Sequence, residues 1–157
     1  MTLRIDFAFP GDLATPTGGY GYDRRLIAEL EALGAQVRTI SLPNAFPDPS
    51  PVDLEETRGL LSDGARDALI VDGLAFGALS ASLVEALAPK PVALVHHPLC
   101  LETGLSQERA AALEASERAA LVHAGAVVTT SRMTADIVAR DFFVPRERLF
   151  SAEPGVD

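Results

Sequence analysis

Short apolar runs rich in β-branched residues alternate along this chain with longer segments of helical character. Such runs are typical of buried strands, and their alternation with helices is the pattern of βαβ units. Because strands in βαβ units are parallel and carry helices on their faces, the pattern predicts an α/β fold with a mainly parallel sheet of about six strands. The predicted strands are residues 3–9, 36–42, 68–72, 91–95, 126–130 and 149–152.

The segments between the predicted strands carry the start and stop signals of helices. The first segment is amphipathic and ends at Gly34, since glycine readily takes the left-handed conformation that terminates a helix. A second helix is predicted for residues 53–61, because Asp53 and Glu56 have the spacing of a capping box. The longest is predicted for residues 106–124, which are rich in Ala, Leu and Glu. The predicted buried face of the first helix consists of Leu26, Ile27, Leu30 and Leu33.

The length and apolar content of the chain predict one globular unit. Of its 157 residues, 48% are hydrophobic and 22% are charged. A chain of this length forms about one domain, and so much apolar material excludes a disordered tail. Four prolines fall within residues 43–51, and proline continues neither a helix nor a central strand. This segment is predicted to be a surface loop, too short to divide the chain, so residues 1–157 are expected to form one domain.

The charge balance narrows the choice of partners. Thirteen Lys and Arg residues against 22 Asp and Glu residues give a formal net charge of -9, and an acidic surface repels the phosphate backbone, so nucleic acid is not an expected partner. A single cysteine, Cys100, cannot form an internal disulfide. The sequence shows neither a secretion signal nor the roughly 18 uninterrupted apolar residues of a membrane span. We therefore expect a cytoplasmic protein with no integral membrane segment.

Candidate functional residues follow the predicted strands, because open parallel sheets bind ligands in a crevice at the carboxyl ends of their strands. After the first strand, Gly18, Gly19 and Gly21 stand just ahead of a helix. Glycine N–H groups in that position, together with the helix dipole, favour an anion. Tyr20 and Arg24 are further candidate substrate-binding residues of the same segment.

The arginines of this segment bear on the same question. Arg24 and Arg25 are predicted to lie in the first helical turn, where positive charge is unfavourable. A neighbouring anion offsets this cost; the alternative interpretation is a flexible turn with two solvated arginines. The third glycine of the dinucleotide fingerprint is missing after Gly21, so NAD is not expected.

The fourth predicted strand is followed directly by His96 and His97, with Glu102 a few residues further along. An imidazole at a crevice lip is suited to holding a sugar hydroxyl or a phosphate, although a structural role is the alternative. The histidines are candidate catalytic residues, and Glu102 is a candidate substrate-binding residue. Adjacent side chains in extended chain point to opposite faces, and two histidines offer too few ligands for a metal. We therefore predict no metal site and no resident cofactor.

Asp72 and Ser131 end or follow the third and fifth predicted strands. Each is a candidate substrate-binding residue that can also cap the next segment, and capping is the favoured interpretation for both. Cys100 has no basic cluster or redox partner nearby in sequence, so it is interpreted as a bystander thiol. The motifs of the serine hydrolases and of the P-loop NTPases are missing from the sequence.

The order of these elements resembles the N-terminal Rossmann-like domain of GT-B glycosyltransferases, in particular the retaining family 4 type. The resemblance covers nearly the whole chain and implies a three-layer α/β/α fold that is one half of a GT-B enzyme. Its most specific part is residues 117–157: a helix, a strand closing on Thr-Ser-Arg, a short helix, a Val-Pro turn and a terminal Pro-Gly-Val-Asp, where the family usually has Asn-Gly-Val-Asp. The other resembling segments are LRIDFAFP (3–10), the glycine-pair helix and strand of 18–43, and PVALVHHPL (91–99).

This resemblance implies that the domain binds mainly the acceptor, while a second Rossmann-like domain binds most of the nucleotide-sugar donor. Gly18 and Gly19 fall on the family's glycine-rich loop, which approaches the donor phosphates. His96 falls on the histidine that contacts the transferred sugar, with His97 as the fallback because the doubled residue leaves the register open by one. Retaining members are usually described as using no protein nucleophile. The site is then expected to act by positioning and by stabilising charge on the departing diphosphate, with the glycine turn and the histidine facing one crevice.

The Gly-Val-Asp of residues 155–157 marks, in this family, the passage into the donor domain. Because the donor-domain residues that hold the diphosphate have no counterpart here, the chain alone is expected to show little or no transferase activity. It is expected to be a fragment, to be completed by a separate donor-domain chain, or to self-associate. One alternative is a non-catalytic Rossmann-like module that binds a nucleotide or a partner. Another is a flavodoxin-like or response-regulator-like domain, which needs a lysine near the end of the fifth strand, whereas the only lysine is Lys90.

Overall fold

Six parallel strands form a single sheet in the computed structural model, which describes residues 1–155 of the chain. Each predicted strand matches an observed one to within one residue at either end, which confirms the predicted α/β architecture. Val156 and Asp157, the end of the Gly-Val-Asp terminus, lie outside the described residues. The strands are β1 (Arg4–Pro10), β2 (Gln36–Leu42), β3 (Ala68–Asp72), β4 (Val92–Val95), β5 (Ala126–Thr129) and β6 (Leu149–Ser151), in the spatial order β2-β1-β3-β4-β5-β6.

Helices connect the strands, and two single turns of 3₁₀-helix occur at Leu99–Leu101 and Arg146–Arg148. Most helices begin at a side chain that accepts a hydrogen bond from the first turn, as for Thr17, Ser106 and Ser131. The helices are α1 (Gly18–Ala32), α2 (Pro51–Ser62), α3 (Gly73–Phe76), α4 (Ala81–Ala86), α5 (Gln107–Leu121) and α6 (Arg132–Asp141).

Two apolar clusters, one on each face of the sheet, make this a three-layer α/β/α fold. Successive strand residues point to opposite faces, so the cluster that contains Ile27 of α1 takes Phe7, Phe9 and Leu94 from the strands. The other, larger cluster takes Ala8, Val71, Ala93 and Val127 from the strands, together with Leu61, Val84, Leu121 and Val138 from helices α2, α4, α5 and α6. One face therefore carries α1, and the opposite face carries the larger helical layer.

The amino-terminal edge of the sheet holds a buried ion-pair network. Asp6 of β1 is buried, and its Oδ2 lies 3.2 Å from Nη1 of Arg66, whose side chain is also buried. Arg38 of β2 donates two further hydrogen bonds to the same carboxylate, at 2.9 and 2.8 Å. Burial alone raises the pKa of Asp6, but the hydrogen bonds from Arg38 and Arg66 outweigh it and hold the pKa below its ordinary value.

Two details of the predicted helices are wrong. The capping box of α2 is formed by Ser50 and Asp53, because the helix begins at Pro51, two residues earlier than predicted, which makes Asp53 its third residue. Leu33 was expected on the buried face of α1 but is 85% exposed. It lies in the C-cap position, beyond the last helical turn, where Gly34 takes a φ of 98° and turns the chain away.

The proline-rich loop and the start of the longest helix agree with the prediction, although α5 ends at Leu121, three residues before the predicted end. Residues 43–50 form the loop predicted from the prolines, and α5 begins directly after Ser106. Within residues 1–155, no helix combines the length and the apolar character that crossing a bilayer requires.

Candidate functional site

The strand order creates a crevice at the carboxyl edge of the sheet. From β1 the chain turns towards β2 on one side, whereas β3 and β4 follow on the other, and in such sheets this switch point is where ligands bind. A crevice of about 1020 Å³ opens there. It is lined by Gly18, Gly19, Gly21, Tyr22, Arg25, Leu26, Glu29, His96, Thr130 and the segment 152–155.

The glycines lie in the first turn of α1, at the floor of this crevice. Thr17 caps the helix by accepting a hydrogen bond from the N–H of Tyr20 at 3.1 Å. Within the described part of the chain, the N–H groups of Gly18 and Gly19 have no acceptor, as is usual for the first residues of a helix. They are therefore available to an anionic or carbonyl oxygen of a ligand.

Gly19 and His96 face each other across the crevice, which confirms that the glycine turn and the histidine share one site. A Cβ atom placed on Gly19 would lie 3.7 Å from Cδ2 of His96, whereas one on Gly18 would meet nothing within 4 Å. The ring of Tyr22 packs edge-on against the imidazole, with ring centroids 5.3 Å apart. The imidazole is thus held between the backbone of α1 and an aromatic ring.

Other candidates from the glycine segment lie around the crevice and not within its lining. Tyr20 is buried, and its hydroxyl donates to the carbonyl of Pro10. Arg24 donates to the carbonyl of Leu13 at 2.6 Å, which holds the loop ahead of α1. Because α1 begins at Gly18, Arg24 and Arg25 lie beyond its first turn, and the argument that the helix dipole opposes their charge does not hold. Arg25 lines the crevice and pairs with Glu29 at 2.7 Å.

A buried cluster of two carboxyl groups and one imidazole lies beneath the crevice. Nε2 of His96 is 2.8 Å from Oδ1 of Asp23 and 3.3 Å from Oδ2 of Asp72. Asp23 comes from α1 and is 0% exposed; Asp72 comes from the end of β3 and is 2% exposed. Oδ2 of Asp23 and Oδ2 of Asp72 are both buried without a hydrogen-bond partner among the described residues.

The members of this cluster change one another's protonation. Burial raises the pKa of Asp23 to about 8, opposed by the hydrogen bond to His96 and reinforced by Asp72. Burial alone lowers the pKa of His96, but the hydrogen bonds to Asp23 and Asp72 outweigh it and raise the pKa to about 9. Burial also opposes ionisation of Asp72, yet its hydrogen bonds, including one from the N–H of Leu74 at 2.9 Å, bring its pKa below the ordinary value.

The same three side chains form the group in residues 1–155 whose donor atoms are close enough to share a cation, since those atoms lie within 4.8 Å of one another. A metal ligand must offer a free lone pair on its nitrogen. Here Nε2 of His96 already contacts the two carboxyl groups, and the pKa of His96 is raised to about 9. A protonated imidazole can therefore itself serve as the cation between the two acids.

Asp23 is the residue of this site that the sequence prediction missed. It lies between Tyr20 and Ile27 at helical spacing, and all three side chains are buried on the inner face of α1. A charged residue inside an apolar helical stripe is rarely buried without a partner. That break in the stripe is the signal that identifies it.

The other predicted site residues have structural roles or lie apart. Asp72 caps α3 as well as contacting His96, and Ser131 caps α6 by accepting from the N–H of Thr134 at 3.0 Å. His97 and Glu102 are exposed and are not part of the crevice lining. Of the two histidines, His96 is therefore the one in the crevice.

The loop that carries His96 is anchored from below by a buried acid. Glu117 of α5 accepts a hydrogen bond from the N–H of Leu99 at 3.1 Å and is 1% exposed. Burial raises the pKa of Glu117 to about 7, and the bond from Leu99 only partly opposes this. On the opposite wall, the hydroxyl of Tyr22 donates to the carbonyl of Ala152 at 2.6 Å and ties the segment after β6 to α1.

Two solved structures with a similar fold are alpha-glucosyltransferases. An alpha-glucosyltransferase in complex with UDP and a 13-mer DNA containing an HMU base matches with a TM-score of 0.60 and 14% identity, over 100% of this chain and 44% of that one. An alpha-glucosyltransferase in complex with UDP matches with a TM-score of 0.57 and 14% identity, over 99% of this chain and 45% of that one. This chain thus spans less than half of these enzymes, and at such identity the likeness concerns the fold.

The sequence itself identifies the family. No curated protein shows significant sequence similarity to the chain. The family model described as the glycosyl transferase 4-like domain, however, matches residues 13–152, which include the glycine turn, the buried cluster and the strands from β2 to β6. The chain therefore belongs to the glycosyl transferase 4-like domain family.

Proposed function

We propose that this chain is the acceptor-side domain of a retaining, family 4-like glycosyltransferase, which transfers a sugar from a nucleotide-sugar donor when a donor-binding domain completes the crevice. The observation that carries the proposal is the meeting of Gly19 and His96 at the switch point of the sheet. Family membership and the GT-B neighbours support the same reading.

The crevice offers hydrogen-bond donors where a glycosyl transfer develops negative charge. The N–H groups of Gly18 and Gly19 and the positive end of the α1 dipole face it, and His96 adds an imidazolium. Fixed donors of this kind stabilise charge on a departing diphosphate or hold a sugar hydroxyl without reorganising. The carboxyl groups beneath His96, Asp23 and Asp72, are buried and engaged with its ring, so neither is placed to attack a sugar. The carboxylates that line the crevice are paired with arginines, Glu29 with Arg25 and Glu153 with Arg132. These pairings support a mechanism that uses no nucleophile from this domain.

The donor side is proposed to come from another lobe. The chain spans 44% and 45% of the two alpha-glucosyltransferases it resembles. A donor domain, either continuous with these residues in a longer polypeptide or on a separate chain, is proposed to complete the crevice, and self-association over the open crevice is another arrangement. The proposed acceptor is not a nucleic acid, although one of the neighbours holds a DNA, because a net charge of -9 opposes contact with phosphates along a strand.

Ligand titration of the isotopically labelled chain tests the proposal. With UDP-glucose, GDP-mannose or UDP as probes, we expect amide shifts at Gly18, Gly19 and Thr130. His96→Ala should weaken binding about tenfold, since a hydrogen bond to a charged group contributes roughly 1.5–3 kcal/mol. His123→Ala, at the far end of α5, is the matched control and should bind like the parent.

Shifts confined to the amino edge around Asp6, or equal affinities for His96→Ala and His123→Ala, would contradict the site. A turnover assay separates the remaining readings. Little hydrolysis or transfer is expected from the 157-residue chain by itself, and turnover is expected when a family 4 donor domain is added. Rapid turnover by the chain alone would refute the proposal that a donor domain must complete the crevice. Binding without turnover in any mixture would favour the alternative of a non-catalytic binding module.

A further inference from the structure

The hydrogen bonds described for Asp23, Asp72 and His96 leave two polar atoms of this cluster without a partner. Oδ2 of Asp23 and Oδ2 of Asp72 are both buried without a partner in the described residues. Two carboxylate oxygens deprived of water are costly unless a proton lies between them. The side chains of Asp23 and Asp72 are within hydrogen-bonding reach of each other, so a proton on one of them makes one acid the donor and the other the acceptor.

The surroundings decide which acid carries that proton. Oδ1 of Asp72 accepts from the N–H of Leu74 at 2.9 Å, and a backbone donor stabilises an ionised carboxylate. Asp23 is 0% exposed and receives only the His96 ring on Oδ1. Asp23 is therefore the neutral acid, Asp72 the carboxylate and His96 the imidazolium. Their charges cancel, which is the condition for burying such a group with little penalty.

His96 keeps one nitrogen for the crevice. Nε2 is engaged with the two acids, whereas Nδ1 makes no hydrogen bond within residues 1–155. The side chain is 23% exposed and lines the crevice beside Gly19. In an imidazolium both nitrogens are donors, but in a neutral ring with its proton on Nε2 the other nitrogen is an acceptor. The two acids thus decide whether His96 offers the ligand a donor or an acceptor.

We propose that Asp23 and Asp72 are positioning residues that fix the His96 ring through Nε2 and keep it cationic, so that Nδ1–H donates to an acceptor oxygen of the ligand, such as a phosphoryl oxygen. The inference deepens the proposed function and rests on it for the identity of the ligand. The protonation state is tested independently of any glycosyl transfer.

Few other titratable groups face the imidazole. Tyr22 from α1 packs against it edge-on, and the hydroxyl of Tyr20 lies close enough for Asp72 and Asp23 to affect it. Burial first, and then those two acids, raise the pKa of Tyr20 to about 12, so it stays protonated over the pH range of the experiment. His96 and Asp23 are therefore the members of this group whose pKa values, about 9 and about 8, lie within the range of the experiment.

The first measurement uses the parent chain. The ring nitrogens of its three histidines are followed by ¹⁵N NMR from pH 5 to pH 9, with His97→Gln and His123→Gln used for assignment. We expect His96 to be doubly protonated at pH 7.5. A neutral His96 at that pH would overturn the proposal without the need for any variant at the acids.

Three variants then assign the cause. In Asp23→Asn the amide can accept from Nε2 and donate to Asp72, and in Asp72→Asn the remaining Asp23 can ionise and replace the lost charge. Each single variant should therefore keep a raised His96 midpoint. The double variant should lower the midpoint by about two pH units, as expected when the opposite charges are lost. Glu85→Gln, an exposed acid on α4, is the control for charge removal.

A nuclear Overhauser contact between Gly19 and the His96 ring verifies that each variant keeps the ring in place. With UDP as the probe, the double variant should bind about fourfold more weakly than the parent at pH 7.5, since about a quarter of its imidazole is then protonated. At pH 5 the two should bind nearly equally, because the imidazole of the variant is protonated without help. A midpoint that is unchanged in the double variant would overturn the proposal. So would a tightly bound divalent metal in the purified chain that either single substitution releases.

Discussion

The N–H of Leu99 donates a hydrogen bond to Oε1 of Glu117, 3.1 Å away, in a position that water does not reach. This bond fixes the turn that follows His96 onto α5. Because Glu117 is buried and the bond only partly offsets the loss of hydration, burial raises its pKa to about 7. The anchor is therefore neutral below that pH and ionised above it.

Replacing Glu117 by glutamine should keep the bond and remove the ionisation. The amide oxygen can still accept from Leu99, so at pH 5 we expect a free energy of unfolding within about 1 kcal/mol of the parent. At pH 8 the variant should be the more stable protein, because it has no charge to bury. Urea unfolding of Glu117→Gln and of Glu85→Gln, an exposed control, measures this. A glutamine variant that loses stability equally at both pH values would contradict the argument.

The stability of the whole domain should fall as the pH rises from about 5 to 9. In the folded chain the pKa values of Asp23, Glu117 and His96 are about 8, 7 and 9, all above their ordinary values of 3.8, 4.5 and 6.5. The folded state therefore binds more protons than the unfolded state in this window, and stability decreases with rising pH. The His96 contribution is complete below pH 6.5 and is lost through pH 9.

Asp6 and Asp72 have lowered pKa values and therefore affect stability in the opposite sense. Their contribution to the free energy of unfolding is lost only when the pH falls below the ordinary carboxyl pKa. We expect a maximum near pH 4 and a loss of more than about 2 kcal/mol between pH 5 and pH 9, since one pKa unit corresponds to about 1.4 kcal/mol. Denaturant unfolding at each pH measures the curve, and uptake of protons on refolding at pH 7 provides a second check. A flat or rising curve between these limits would rule out the assignment.

Gly73 and Gly18 should respond in opposite ways to alanine. A Cβ on Gly73 would lie 2.7 Å from the carbonyl oxygen of Leu94, so β3 and β4 must separate to admit it. Overpacking of this kind costs roughly 1–3 kcal/mol. At Gly18 a Cβ meets nothing within 4 Å, and alanine favours a helix by up to about 1 kcal/mol. Equal thermal midpoints for the two variants would show that the close approach at Gly73 is not rigid.

Removing the Tyr22 hydroxyl should release the segment after β6 without disturbing His96. Tyr22→Phe keeps the ring against the imidazole but loses the hydrogen bond to Ala152. We expect a loss of at most about 1 kcal/mol, as is usual for an exposed hydrogen bond. The amide of Ala152, which donates to Thr129, should exchange several-fold faster with deuterium. Unchanged protection at Ala152 would mean that β6 alone holds this segment.

The strands could be predicted because buried strands consist of short runs of apolar, often β-branched residues that are visible in the sequence. Runs such as residues 68–71 are apolar throughout, since a central parallel strand is covered on both faces. The predicted start of α2 used Asp53 and Glu56 as the capping pair, whereas the observed pair is Ser50 and Asp53. Proline is favoured at the first helical position, and Pro51 takes that position directly after Ser50. Leu33 was placed wrongly because helical periodicity continues in the sequence beyond the residue at which the helix ends.

The candidate site could be predicted only where the fold family fixes it. His96 and the glycine pair follow strands whose carboxyl ends must meet at one edge, so their proximity follows from topology. The cluster brings together Asp23 of α1 and Asp72 at the end of β3, which are far apart in sequence. Which way these side chains point depends on tertiary packing that no local pattern encodes. The role of Arg24 could not be predicted either, because its side chain donates to the carbonyl of Leu13 in the loop ahead of α1.

The ion pairs around Asp6 and the cluster around His96 occupy opposite edges of the same sheet, near the starts of β1 and β2 and at the ends of β3 and β4. Perturbations this far apart, with no shared partners, combine additively. Substitutions around His96 can thus change ligand binding without weakening the ion pairs of Asp6 at the opposite edge. Domains of this kind can therefore diverge in the ligands they bind while the ion pairs that stabilise the amino-terminal edge of the sheet are kept.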